Sequence, residues 1–413
     1  MQSVELGAVK PADQTQSPTD LFLIFVGANV VATTLQVGAS LAGRWSFVQT
    51  TLLIVMGAFG GAALVAALSP LGPRLGVPSI VASRAALGHS GARVLAFLLF
   101  ATNFAWIALN NVIAASICAR LFGGESSMPI WAVGLGVVAT AIVAGGPRMV
   151  SLADRFAVPA LTVSGVVMTI ACLRAPWPTV SAPASAVAAG GVFGAVDLVA
   201  GYQATWLLMF ADYSRYNRSG KASAVAVFLG LGLSAAWFIP LGYAAATIAG
   251  SDDPGAMVQA LRLGWWGALL MTMATLSTNF VNIYMSALAL KSLRPKTPDK
   301  AGVWFIGGVG AALSVLSTAL LNQVASVTLL AAGILVPIGG ILLAHYFFLR
   351  RAVRVDDLYD AQGPYARRGG WSIAGTVAWV AGAAAFYLAS PIGGTLPSLA
   401  VAIVVYSVLA RKQ

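Results

Sequence analysis

Residues 48–69 contain no charged side chain. A helix rises 1.5 Å per residue, so such a run can cross the roughly 30 Å hydrocarbon layer of a bilayer. Runs of this kind recur at 20–42, 48–69, 92–117, 130–145, 156–173, 192–211, 223–248, 265–290, 302–320, 325–348, 371–390 and 394–410. No water reaches the backbone inside a bilayer, so each spanning segment must satisfy its own hydrogen bonds as a helix. The expected fold is therefore an all-α polytopic membrane protein of about 12 transmembrane helices. Composition agrees. Of 413 residues, 59% are hydrophobic and only 9% charged, where a water-soluble domain carries about 25% charged residues. The first 18 residues are polar and hold no apolar core of a cleavable signal. Cys118 and Cys172 lie in apolar runs and suggest neither a disulfide framework nor a metal site.

The net charge of +11 would fit a nucleic-acid surface, but its distribution does not. With the spans drawn as above, 20 of the 24 basic residues fall in connections on the side that holds the N-terminus. Arg44, Arg120, Arg174 and Arg262 make up the other side. The positive-inside rule then places both termini in the cytoplasm. The basic charge reads as a topology signal, and no nucleic-acid partner is expected.

The organisation follows from the same register. Residues 1–19 form a cytoplasmic tail. Residues 20–173 hold spans one to five and 192–348 hold spans six to ten. A polar connection, 349–370, precedes the last two spans and the C-terminus in 371–413. Five spans is an odd number, so the second half runs inverted relative to the first. The first span of each half is interrupted by glycine, Gly27 and Gly38 in span one, Gly194 and Gly201 in span six. Interrupted helices at matching positions of inverted halves point to a transporter's central site. Single glycines, by contrast, commonly serve close packing.

The side chains inside the spans are mostly neutral. No Ser/His/Asp set, carboxylate pair, Cys/His cluster or phosphate loop occurs at one depth, so neither an enzyme nor an ATP-driven motor is expected. Trp106 lies mid-span in "ATNFAWIALNN", away from the interfaces where indoles usually anchor. Asn110 and Asn111 follow a turn later. Gln203 lies near the Gly201 interruption and needs a partner, either helix backbone or substrate. Thr205 and Trp206 follow it. In span eight, Ser277 and Thr278 precede Asn279 and Asn282. Their hydroxyls could complete an oxygen shell for a small hard cation or could bond back to their own helix. Asp197 is the one acid in the interior of a span, and reads equally as a functional carboxylate or a helix cap. At the inner end of span six, "MFADYSRYNR" packs Asp212, Arg215 and Arg218 into ten residues. That stretch reads either as a stop-transfer flank or as a gate in which Asp212 pairs with Arg215, with Arg218, Arg84 and Arg155 as further cations.

Four stretches resemble the nucleobase:cation symporter-1 family, which includes bacterial cytosine permeases and hydantoin transporters. They are "GPRLGVPSIVASRAALGHSGA" after span two, "ADYSRYNR" after span six, "STNFVNIYMSALAL" in span eight and "PIGGILLAHYF" in span ten. The resemblance covers nearly the whole chain. It implies the five-plus-five inverted-repeat fold of amino-acid:sodium symporters with two added helices. It implies that Trp106 stacks on substrate and that Asn279 contacts it. It also implies a cation site of the Gly27, Val30 and Ala274 carbonyls with the Ser277 and Thr278 hydroxyls, which would suit Na+. Two positions depart from the pattern. Gln203 stands where a second stacking aromatic is usual, with Trp206 one turn on as a substitute, and His345 replaces an Asp of the inner gate.

The expected function is a symporter of the cytoplasmic (inner) membrane, working as a monomer without a cofactor. It would import a planar nucleobase-like ring, such as cytosine, another pyrimidine, a purine or a hydantoin-like compound, with Na+ or H+. Spans 1, 2, 6 and 7 would rock against spans 3, 4, 8 and 9. The alternatives are an amino-acid or other small-solute symporter of the same fold, and a non-transport membrane subunit.

Overall fold

The computed structural model describes residues 7–43, 45–177, 191–294, 296–316, 319 and 323–411. The side chains of Arg44, Arg148, Arg155, Arg367, Arg368 and Lys412, which enter the charge asymmetry, lie outside the described residues. Helices account for nearly all of the described chain. A single backbone bridge, between Gln16 and Asn217, is the extent of β pairing among the described residues.

The helices are α1 Pro18–Asn29, α2 Ala32–Ala39, α3 Phe47–Leu68, α4 Leu71–Leu75, α5 Ser79–Phe122, α6 Met128–Ala144, α7 Pro147–Arg174, α8 Gly191–Ala204, α9 Gly220–Ala249, α10 Pro254–Ala260, α11 Gly264–Leu293, α12 Asp299–Leu313, α13 Val324–Leu343, α14 Ile373–Leu388 and α15 Thr395–Ala410. The connection 349–370 holds only short helical turns, Val355–Tyr359 and Arg367–Gly370. By length and apolarity, six helices among the described residues can cross a bilayer, and the bent pair of α1 and α2 makes a seventh. The count of twelve is not reached on that measure. Part of the shortfall has a physical cause. Helix α8 stops after 14 residues, and α14 and α15 run 16 residues each, short of the ~20 that a straight crossing needs.

Two helix groups face each other. In one, α3 packs on α8 and α9, and α1 and α2 pack on α9. In the other, α5 packs on α6 and α11, α12 on α6, and α7 on α11. Helix α13 bridges α8 to the terminal pair α14 and α15. The buried apolar side chains divide into an inner cluster that includes Phe210, Val336 and Tyr346 and an outer one that includes Val31, Trp106 and Tyr243.

Spans one and six are interrupted as expected, but not by their glycines. Span one breaks at Val30 and Val31, whose φ/ψ values of −84°/64° and −141°/160° leave the helical region, and the two pieces meet at 56°. Span six is helical through both Gly194 and Gly201 and breaks after Ala204. The glycines instead permit contact. A Cβ on Gly38 would lie 1.9 Å from the Ile239 carbonyl oxygen of α9, and one on Gly201 would lie 2.9 Å from the Ala332 Cβ of α13. Helices without side chains at the contact approach closely enough to pack in a bilayer, where no hydrophobic effect drives them together.

Asp197 proves to be a cap, and a tertiary one. Its carboxylate accepts the backbone N–H groups of Gly394 and of Thr395, the latter at 3.0 Å. These are orphan donors at the start of α15, and a carboxylate there also meets the positive end of the helix dipole. Replacing it with Ala should cost about 0.5–2 kcal/mol, read as a lower melting temperature of the detergent-solubilised protein. Asp197→Asn, which keeps an acceptor, should lose less. A melting temperature unchanged in Asp197→Ala would refute the capping role.

Candidate substrate site

A cavity of about 50 Å³ lies between the helix break of span one, the mid-portion of α5, the end of α8, α11 and α13. On α5, Asn103, Trp106 and Asn110 line it. They are three and four residues apart, so they share one helix face. On α11, Thr278, Asn282 and Met285 line it at helical spacing. Thr33 comes from the start of α2, and Tyr202, Thr205 and Trp206 from the break in span six.

The aromatic walls meet edge to face. The Trp106 and Tyr202 ring centroids are 6.2 Å apart with their planes at 66°, a favoured geometry for an aromatic pair. The Tyr202 hydroxyl bonds to that of Thr34 at 2.8 Å, which fixes the ring against α2. The Asn110 amide donates to the Trp106 carbonyl at 2.9 Å. The Thr205 hydroxyl donates to the Tyr202 carbonyl at 2.7 Å, so it satisfies its own broken helix.

Two residues expected at the substrate turn away from it. Gln203 is fully buried and off the cavity wall. Its Oε1 accepts from Asn29 at 3.1 Å and its Nε2 donates to the Leu231 carbonyl at 2.8 Å. Asn29 also donates to that carbonyl, at 3.1 Å. The amides thereby tie the break of span one to α8 and α9. Asn279 is likewise fully buried, and donates to Asn111 at 2.6 Å and to the Ile107 carbonyl at 3.3 Å. Asn111 in turn donates to the Ser314 hydroxyl at 3.0 Å. In both cases the depth along the span is right and the rotation about the helix axis differs. One turn further along α11, Asn282 takes the place on the wall that Asn279 was expected to hold. The spacing of 103, 106 and 110, and of 278, 282 and 285, was the signal that separates the two faces.

The candidate cation ligands sit at the junction of span one and α11. Val30, Ala274, Ser277 and Thr278 are buried, and Gly27 is half-buried in α1. The Ser277 hydroxyl donates to the Ala274 carbonyl at 2.8 Å. That leaves oxygen lone pairs on both. The Thr278 hydroxyl has no hydrogen-bond partner among the described residues, and a buried polar atom in that state is costly.

A family model for permeases of cytosine/purines, uracil, thiamine and allantoin matches residues 8–409. The chain belongs to the nucleobase:cation symporter-1 (purine/cytosine permease) family. Its relatives are transporters rather than enzymes. A putative purine-cytosine permease of Bacillus subtilis is 26% identical over 366 residues, covering 84% of this chain and 80% of the relative. A purine-cytosine permease of Saccharomyces cerevisiae is 23% identical over 344 residues, covering 76% of this chain and 65% of the relative. Among solved structures, the nucleobase-cation-symport-1 transporter Mhp1, in a closed conformation with bromovinylhydantoin bound, superposes with a TM-score of 0.83 at 19% identity, covering 99% of this chain and 96% of its own. Its inward-facing conformation gives 0.86 at 20% identity, covering 98% and 92%. The permease thus has the Mhp1 fold. A weaker likeness, with a TM-score of 0.51 at 17% identity, links it to MhsT in complex with L-phenylalanine; it covers 94% of this chain and 98% of the other.

Past the break of span six, Asp212 finds compensation in a helix terminus. It accepts the Ser79 N–H, at the start of α5, at 3.2 Å, while the Ser79 hydroxyl accepts the Ala211 N–H at 2.9 Å. A carboxylate unfavourable at the end of one helix is favourable at the start of another. Arg215 donates to the Gly7 carbonyl at 3.2 Å and to the Tyr216 hydroxyl at 3.0 Å, and Arg218 to the Gln14 carbonyl at 2.7 Å. Arg84 donates to the Leu358 carbonyl at 2.9 Å. These arginines hold the N-terminal tail and the 349–370 connection in place. The expected Asp212–Arg215 latch therefore shares both residues with these other contacts.

The Gln203 knot generates a test. Gln203→Ala removes one of two bonds made by the buried Asn29 amide and one of those to the Leu231 carbonyl, at about 0.5–1.5 kcal/mol per hydrogen bond. The variant should melt at a lower temperature and lose uptake of every transported compound by a similar factor. A change in the rank order of compounds instead would return Gln203 to the substrate.

Proposed function

We propose that the permease is a secondary symporter that carries a planar, neutral, nucleobase-like heterocycle into the cell across the cytoplasmic membrane, with both termini inside. Na+ is the coupling ion this reading favours, held by the carbonyls of Gly27, Val30 and Ala274 and the hydroxyls of Ser277 and Thr278. A small hard cation is suited by such neutral oxygens.

The observation that carries the proposal is the mid-membrane indole of Trp106. It is set edge-on to Tyr202 over a cavity whose lining side chains are all neutral. A planar ring gains most from an aromatic face and from amides and hydroxyls around its rim, whereas an amino-acid zwitterion calls for charge compensation. The relatives named purine-cytosine permeases, and the hydantoin bound to Mhp1, support the same substrate class. The cavity itself holds only a few waters by volume. A ring must therefore push aside Met209, Met285 and Leu99, which are the adaptable side chains of the lining.

The test is uptake of labelled heterocycles and amino acids into vesicles, with and without an inward Na+ gradient. Uptake of rings that rises with the gradient is the expected result. Uptake confined to amino acids would overturn the substrate class, and indifference to Na+ would leave the proton as the coupling ion. Stacking on an aromatic face is worth about 1–3 kcal/mol per base. Trp106→Ala should therefore weaken binding about tenfold or more while the protein still accumulates in the membrane, as judged by binding to the purified variant.

A further inference from the structure

Trp206 stands close to the position where a second stacking aromatic is expected, yet its surroundings give it another task. It lies two residues past the end of α8 and caps the short 3-10 turn Leu207–Met209. Its apolar surface packs against the inner core cluster, so that surface is engaged by protein. Its indole Nε1, buried and on a residue of the cavity wall, has no hydrogen-bond partner among the described residues. An indole nitrogen can only donate. Leaving it unpaired in a buried site is costly, so the group is explained by an occupant that brings an acceptor.

A second group of the same kind lines the cavity. Asn103 lies three residues before Trp106 on the cytoplasmic side of α5, and its Nδ2 is buried without a partner among the described residues. Further out on that face, Asn110 presents the opposite chemistry. Its Nδ2 donates to the Trp106 carbonyl. Because a carbonyl only accepts, the amide orientation is fixed, and Oδ1 is the end left without a partner. The wall therefore carries two N–H donors, Trp206 and Asn103, toward the cytoplasmic end and an acceptor at the outer end.

We propose that Trp206 is a specificity-determining residue that reads the ring through its indole N–H, with Asn103 as a second donor. Together they select heterocycles that present an oxo edge to the cytoplasmic side of the site and reject those that present an amino group there. This rests on the proposed function, since it assumes that a planar ring occupies the cavity. The substrate class becomes cyclic amides and imides with an oxo group opposite a ring N–H. The oxo oxygen accepts from Trp206 and Asn103 and the N–H across the ring donates to Asn110, as the C4 oxo group and N1–H of uracil would. The O2 and N3 acceptors of cytosine, by contrast, have only C–H across the ring. An amino group at that edge would set donor against donor and leave both sides unpaired.

The test compares uracil with cytosine, which replaces the C4 oxo group by amino and the neighbouring N3–H by a bare ring nitrogen, in competition for binding to the purified protein. The wild type should prefer uracil. Trp206→Phe keeps a ring against the inner core and removes only the N–H. It should weaken uracil by about 3- to 10-fold while leaving cytosine nearly unchanged, so that the preference shrinks. Asn103→Leu should shrink it in the same direction. Equal loss of both ligands in Trp206→Phe would mean that Trp206 stacks or packs, and the proposal falls. It also falls if the wild type prefers cytosine, a result that needs no variant to fold. Failure of the wild type to bind any heterocycle would instead overturn the proposed function itself.

Discussion

The amides of Gln203 and Asn29 hold three helices at the depth where two of them give up their own hydrogen bonds. Span one leaves the helical region at Val30 and span six stops at Ala204, and each break exposes backbone groups in a layer without water. The Gln203 and Asn29 side chains converge on the Leu231 carbonyl of α9 and on each other. This buried network lets two interrupted helices keep a fixed spacing. Tyr202 adjoins Gln203 in α8, and Val30 adjoins Asn29 in span one.

Depth was legible in the sequence, and rotation was legible only in part. Apolar runs and their charged flanks gave the order of the spans, and the mid-span position of Trp106 placed it at the depth of the cavity it lines. Gln203 and Asn279 were also at the right depth, but a position along a helix says nothing about which way the side chain faces. Only the spacing of several residues on one helix does, and 103/106/110 and 278/282/285 carry that information. Glycine misled for a related reason. It permits both a break and a close contact, and a tertiary neighbour such as the Ile239 carbonyl decides between them. The apolar runs at 192–211, 371–390 and 394–410 were read as spans, and the helices formed there, α8, α14 and α15, are shorter than a straight crossing needs.

The acids show how a membrane protein places charge without a cation beside each one. Asp212 meets the start of α5 and Asp197 the start of α15. Asp197 uses backbone N–H groups in place of the arginine or lysine that a linear reading of the sequence looks for, and Asp212 adds one to the nearby charge of Arg215. The arginines of "MFADYSRYNR" also reach the carbonyls of the N-terminal tail, where Arg215 and Arg218 bond to Gly7 and Gln14. The cluster that first looked like a marker of the membrane boundary is where three segments of chain are stitched together.

The Asp197 cap has a mechanical meaning as well. It belongs to α8, the helix whose C-terminal end carries the break and the cavity-lining aromatics, but its bonds are to the loop that starts α15. Pulling the two apart would strand a carboxylate in a nearly dry setting and uncover the first turn of the last helix. The end of span six that lies away from its break is thus anchored to the terminal hairpin, while the end that carries the break has no such carboxylate tie to it.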